Sequence, residues 1–276
     1  MKLDDRMKKY ERVPQTFLAH RTPVICRFDG RAFHTFTNGL KSPFDEAVTN
    51  GMKMAAAALV QDFSCAKLAY TQSDEISVLL IDYTEFDTMM VFDGEVSKLC
   101  SVGASVATAA FNKAIYESWL KAADDKERAE TLSKKLFRAT FDGRAYNVPR
   151  EEVPNYFLWR LRDAQRNAIQ SVGQSVFSHK ELHGVPTAEV VEMLLSRGVQ
   201  FDSMYPSSFK NGSMAYRKRD ESGKGSIVVE SVNSSGISAE VLNGFLNPPP
   251  KAAPESGLGR VTPVIRLSRD VPDTVK

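Results

Sequence analysis

Asp29 stands in the stretch CRFDGRAFHTF at residues 26–36, directly behind the apolar run TPVI. A lone carboxylate buried at the end of a strand is very costly, so it must be solvated, paired or bound to a cation. A second acid, Asp74, follows 45 positions later in the polar tetrad Gln72-Ser73-Asp74-Glu75. Two unit negative charges about 4 Å apart repel by roughly 4 kcal/mol at a protein-like effective dielectric. Such a pair persists when one acid is protonated, when an arginine intervenes, or when a divalent cation bridges them. Oxygen-only ligation, with the Gly30 carbonyl nearby, suits Mg2+ whose octahedron is completed by phosphate oxygens. The competing reading is an ion pair from Arg27 or Arg31 that closes a surface turn.

The run Gly30-Arg31-Ala32-Phe33-His34 bears on that choice. Glycine lets the backbone approach a ligand closely, and successive amide groups in a tight loop can cradle phosphates. No GK[ST] follows, so this is not a Walker-type loop. His34 alone reads as a packed or surface residue, and His20, His179 and His183 lack metal-ligand spacing. FDGRA occurs twice, at 28–32 and 141–145, and FDG a third time at 92–94. Phe-Asp-Gly by itself is a turn-like tripeptide. Asp93 is expected to turn the chain, and Asp142 to be structural, because no second acidic hairpin follows it.

Asp29 and Asp74 need elements that bring them together. TPVICRFDG at 22–30 reads as a strand that stops at Asp29-Gly30. Ser42 as cap, Pro43 at the first helical position and the acids Asp45 and Glu46 predict a helix reaching about residue 62. KLAYT and ISVLLI then flank the acidic tetrad as a hairpin, so Asp74 sits at its tip. The first strand can lie beside either arm of that hairpin. Residues 97–120 read as a long helix of small residues, 137–148 as a strand, and 150–178 as a helix basic on one side. A short helix at 187–198 has Thr187 as cap and Gly198 as stop, and 207–231 is a basic hairpin or exposed loop. The fold class is α/β (α+β): a ferredoxin-like β-α-β-β core with additional helices and a C-terminal extension. Residues 1–148 are expected to form the core, 149–246 to complete the same unit, and 247–276 to be a proline-rich arm.

The chain has 276 residues, 42% hydrophobic and 25% charged, which allows a proper core and argues against wholesale disorder. Its net charge of +2 means that any polyanion site has to be a local patch. The start MKLDDRMKKYE is too charged for a secretory signal, and no run of about 18 apolar residues offers a membrane span. Cys26, Cys65 and Cys100 form no CxxC pair and read as reduced thiols of a cytoplasmic protein. Metal chemistry is therefore expected to rest on oxygen.

RFDGRAFHTF, AYTQSDEISVLL, SKLCSVGASVATAAFN, FDGRAYNVP and YFLWRLRDAQRNAI, in that order, resemble the motifs of the tRNA-His guanylyltransferase family, over about residues 1–220. The resemblance implies a polymerase-like palm that adds nucleotides in the 3′-to-5′ direction, with two Mg2+ ions at Asp29, the Gly30 carbonyl and Asp74. It implies ATP and GTP, or other nucleoside triphosphates, as substrates, and tRNA as the macromolecular partner. It places the triphosphate loop at Gly30, Arg31, Ala32, Phe33 and His34, with Ser73 beside it and Lys41 and Lys98 near phosphates. Catalysis falls to Asp29 and Asp74, and Glu75 matches a family acid. It also implies a homotetramer.

Family members that add the extra guanylate to tRNA-His carry His-Ile-Asn-Asn after Trp-Arg, where this chain has Gln165-Arg166-Asn167-Ala168. The departure resembles the branch that repairs truncated tRNA 5′ ends against the opposite strand of the acceptor stem. Template-dependent repair is therefore the first reading, and guanylate addition to tRNA-His the second.

Arg160, Arg162, Arg166 and Asn167, and separately Lys210, Arg217, Lys218 and Arg219, are candidates to grip an RNA backbone. A solvated helix face and an ordinary charged hairpin are the bland readings of the same residues. A nucleotide cyclase shares the β-α-β-β pattern, and a non-catalytic tRNA-binding protein is the rival of another class.

Overall fold

A computed structural model describes residues 1–84, 87–219 and 225–247. An exposed helix, α1 (Leu3–Arg12), precedes the sheet and buries no side chain. β1 (Val24–Gly30) is drawn inward by Val24, Ile25, Cys26 and Phe28, all fully buried. One helical turn, α2 (Phe33–Phe36), leads to α3 (Glu46–Asp62). The cap of α3 is Asp45 and not Ser42. Asp45 Oδ1 accepts the Ala47 amide at 2.9 Å, and both carboxylate oxygens take the Arg128 guanidinium at 2.7 Å. A buried aspartate satisfied from several sides fixes the helix start more firmly than an exposed serine.

β2 (Ala66–Gln72) and β3 (Glu75–Leu80) form the expected hairpin, with Ser73 and Asp74 alone as its turn. α4 (Val96–Lys121) and α5 (Lys126–Ser133) follow, then β4 (Phe141–Asn147). Between β3 and α4, Asp93 lies in a short turn with φ 55, as a chain-turning residue should. Residues 137–140 stay outside β4 because Phe137 has φ 57, which breaks the extended chain.

α6 (Val153–Val176) is followed by four short helices: α7 (His179–Leu182), α8 (Thr187–Ser196), α9 (Phe201–Met204) and α10 (Ser207–Lys210). Thr187 is the first residue of α8 without capping it, and Gly198 at φ 77 ends that segment. β5 (Ser213–Arg219) and β6 (Gly225–Ser231) form the basic hairpin, and α11 (Ala239–Leu246) closes the described chain. Residues 248–259 of the proline-rich stretch lie outside the described residues.

The strands make one sheet in the order β4-β1-β3-β2-β5-β6, antiparallel throughout. Its first four strands have the ferredoxin-like arrangement, with β1 between β3 and β4. One face is covered by α3 and α4 around Phe28, Leu59, Val60 and Phe111. On the other, Val153, Tyr156, Phe157 and Leu161 of α6 pack against Ile25, Leu79 and Ile81. α4 lies very close to the sheet. A Cβ at Gly103 would stand 2.2 Å from the Phe28 ring, and one at Gly143 would stand 2.8 Å from the Cys100 carbonyl oxygen. Among the described residues no helix is long and apolar enough to cross a membrane.

Candidate active site

Register sets the site. Antiparallel pairing places Asp29 opposite Glu75, so Asp74 at the hairpin tip lies just beyond the end of β1. The Gly30 amide donates to the Asp74 carbonyl at 2.8 Å and ties the two segments together. Asp29 and Asp74 share a cavity of about 190 Å³ with Ser73, Glu75, Arg160 and Asn167. Burial, then the Asp74 charge, pushes the Asp29 carboxyl above the ordinary aspartate range, and the Arg27 charge opposes the rise. Arg27 Nη2 lies 3.7 Å from Asp29 Oδ2, so the arginine partner and the second acid are both present.

The same pairing places Phe28, Asp29 and Gly30 of β1 opposite Gly143, Asp142 and Phe141 of β4. The two FDG copies therefore meet head to tail, and the second copy is strand, not turn. Asp142 is exposed and adds its charge to the rise at Asp29. The repeat itself was the signal that a reading of FDG as a turn overlooked.

Gly30 has a local reason to be glycine. A Cβ there would stand 2.4 Å from the Phe33 ring. Phe33 is buried against Phe36, Phe111 and Phe141, so only its backbone is left for a ligand. Ala32 at φ 54 turns the chain into α2, where the Thr35 and Phe36 amides donate to the Ala32 carbonyl and those of Phe33 and His34 precede the first helical bond. The Arg31 amide donates to the Thr140 carbonyl at 2.9 Å, and the Arg31 side chain is exposed. A larger cavity of about 720 Å³, lined by His34, Lys41 and Asp45 among others, joins the smaller one along Ser73, Asp74 and Asn167.

Glu75 is not a free ligand. Arg160 Nη1 lies 2.9 Å from its Oε2 and Arg27 Nε 3.5 Å away, while the Ser77 hydroxyl donates to Oε1 at 3.2 Å. Arg160 corrects another expectation: it is buried under the sheet, paired with Glu75 and Asp163, with its guanidinium 4.0 Å from the Trp159 ring centroid. It is no RNA-facing residue.

Arg162 and Arg166 are exposed, Arg166 paired with Asp163, and Asn167 lines both cavities. Lys210 is turned inward to the Asp202 carbonyl, and Arg217 donates to the Val60 and Gln61 carbonyls at the end of α3. Lys218 is exposed, and Arg219 is the last residue of β5. Lys98 is outside the site. Cys100 of α4 meets Gly143 and Asn112 meets Ala139, so Lys98 sits toward the Asn147 end of β4, paired with Glu95 at 3.0 Å.

The two acids thus stand at the ends of β1 and the hairpin, where an antiparallel palm-type sheet opens into paired cavities. The family model for Thg1, tRNAHis guanylyltransferase, matches residues 4–149. The tRNA(His) guanylyltransferase of Schizosaccharomyces pombe is 30% identical over 77% of this chain and 79% of its own length. A bacterial Thg1-like protein solved with ATP superposes with a TM-score of 0.72 at 35% identity, over 83% of this chain and 92% of its own. One solved with GTP gives 0.71 at 32% identity, over 89% and 99%. The chain belongs to the tRNAHis guanylyltransferase family, and it is a nucleotidyltransferase that adds nucleotides to the 5′ end of tRNA.

Proposed function

We propose that Asp29 and Asp74, with the Gly30 carbonyl, hold Mg2+ and a nucleoside triphosphate against an RNA 5′ end. The observation that carries this is the shared cavity of the two acids, joined through the Gly30 amide. The donor set fits the ion. Two carboxylates in one cavity, one with its proton affinity raised by burial and then by the other's charge, are neutralised by a divalent cation. Among the described residues no group of three or more acids, histidines or cysteines gathers to hold a metal, so phosphate and water oxygens have to complete the shell.

When bound, Mg2+ supplies charge neutralisation of the triphosphate and lowers the pKa of the attacking 3′-hydroxyl. The chain's own part is positioning. Backbone amides from Ala32 to His34 donate to phosphate oxygens, Lys41 adds positive charge at the larger cavity, and the Arg27 charge opposes the rise of the Asp29 carboxyl. Glu75, held by two arginines, orients the hairpin and is not a ligand. ATP and GTP, each bound by a solved relative, are the nucleotides expected in the larger cavity.

The specific reaction that the relatives' names favour is guanylate addition to tRNA-His, ahead of the 5′-end repair placed first from sequence. Repair stays as the second reading because Gln165, Arg166 and Ala168 depart from His-Ile-Asn-Asn on either side of Asn167, the matching residue, which lines both cavities. Labelled-nucleotide incorporation into mono- and triphosphorylated tRNA-His, intact and 5′-truncated, tests both. Loss of incorporation in Asp29→Ala is expected, and retention would refute the site. Addition of GTP alone regardless of the opposing base supports guanylate addition; obedience to a changed opposing base supports repair. A cytoplasmic homotetramer is the assembly carried over from the family, and sedimentation of the purified chain tests the tetramer.

A further inference from the structure

We propose that Tyr116 and Phe137 form a stacking platform for an unpaired base of the RNA substrate, an inference that rests on the RNA reading above. Three aromatic rings stand in a row at the end of α4. Tyr116 lies 6.0 Å from Phe137 at 28° and 5.7 Å from Trp119 at 36°. Phe137 is 69% exposed and Tyr116 38% exposed, so the described chain leaves the Phe137 ring largely in water and part of the Tyr116 ring with it. Phe137 also holds φ 57, a conformation that costs a residue with a Cβ and that glycine adopts freely. Burial does not compensate for that cost here, which points to a partner for the ring.

The position ties the platform to the catalytic loop. Two residues before Phe137, the Lys135 ammonium donates to the Asn38 carbonyl at 2.7 Å, at the wall of the larger cavity. Three residues after it, the Thr140 carbonyl accepts the Arg31 amide at 2.9 Å. Arg138 and Arg31 are exposed along this path, and neither enters an ion pair among the described residues. Lys113 and Lys134 flank the rings but are shared with Glu117 and Glu130. An exposed ring face with exposed arginines close to it along the chain offers the chemistry of single-stranded RNA binding: bases stack, and phosphates meet the cations.

The test is equilibrium binding of a fluorescent single-stranded oligoribonucleotide and of tRNA to the full chain. Phe137→Gly is expected to weaken oligoribonucleotide binding about tenfold or more while the melting temperature holds or rises. Phe137→Trp is expected to keep the affinity, and Phe137→Leu to lose it as glycine does, because stacking needs a ring. Unchanged affinity in Phe137→Gly overturns the platform. So does a smaller assembly at unchanged affinity, which would assign the face to a contact between copies. Failure of the wild-type chain to incorporate nucleotides would count against the catalytic reading instead, since oligoribonucleotide binding is measured without it.

Discussion

Glu75 is a carboxylate engaged on both sides by its own chain. It lies between Arg27 and Arg160, and Arg27 reaches on to Asp29. Removing Arg160 strands a partly buried anion, so Arg160→Met is expected to cost about 3 kcal/mol of stability. Glu75→Gln in the same chain should recover much of that loss, and urea unfolding of the double-mutant cycle measures it. Additive losses would show that the pair is not coupled. Arg27 acts on chemistry instead. Its charge opposes the rise of the Asp29 carboxyl, so Arg27→Met should raise that pKa further. The acid limb of kcat/KM then moves to higher pH, because the carboxylate forms later as pH rises. A limb that stays in place would detach Asp29 from the rate.

Among the elements, the hairpin and α3 are the informative ones. Ser73 takes φ 53 in the two-residue turn, a conformation that costs a residue with a Cβ. Ser73→Gly should therefore stabilise the fold by up to about 1 kcal/mol in urea unfolding, unless the strain is relieved elsewhere. At the start of α3, burial works to raise the Asp45 carboxyl, but the Arg128 hydrogen bonds and two backbone amides hold it below its usual range. Its ionised form thus stabilises the fold fully above the unfolded-state pKa, and that contribution disappears as pH falls below it. Asp45→Asn should cost about 2–3 kcal/mol near neutral pH and flatten the acid side of the stability profile. The hairpin was readable because two β-prone runs flank a polar tetrad. The α3 cap was not, because Ser42-Pro43 imitates a helix start, and Arg128, the partner that decides the matter, is 83 residues away. Gly30 carries a reason to be glycine that its sequence context hid: the Phe33 ring would crowd a Cβ there.

At the scale of the molecule, consecutive antiparallel strands made the meeting of Asp29 and Asp74 legible, since a strand end and a hairpin tip can coincide without any long connection. The orientation of side chains on α6 was not. Arg160 and Arg162 are the same residue type two positions apart, yet a turn of about 200° separates them, and one is buried while the other is exposed. Nor does sequence say that the start of α4, with Lys98, packs toward the Asn147 end of β4. The exposed cations are the ones to test for RNA. Arg162→Ala with Lys218→Ala should lower the salt slope of tRNA binding by about 2, whereas Arg217→Ala should act on stability through α3. Equal slopes would remove Arg162 and Lys218 from the interface.

At Gly103 the bare backbone meets the Phe28 ring, a contact between a 26-residue rod and the strand that carries Asp29. A methyl group added there would not stay a local fault. It would tip the whole rod about that ring, and Thr108 and Asn112, which hold residues 139 and 141, would drag the neighbouring strand with them. A single carbon nowhere near any phosphate would thus detune the catalytic corner from behind.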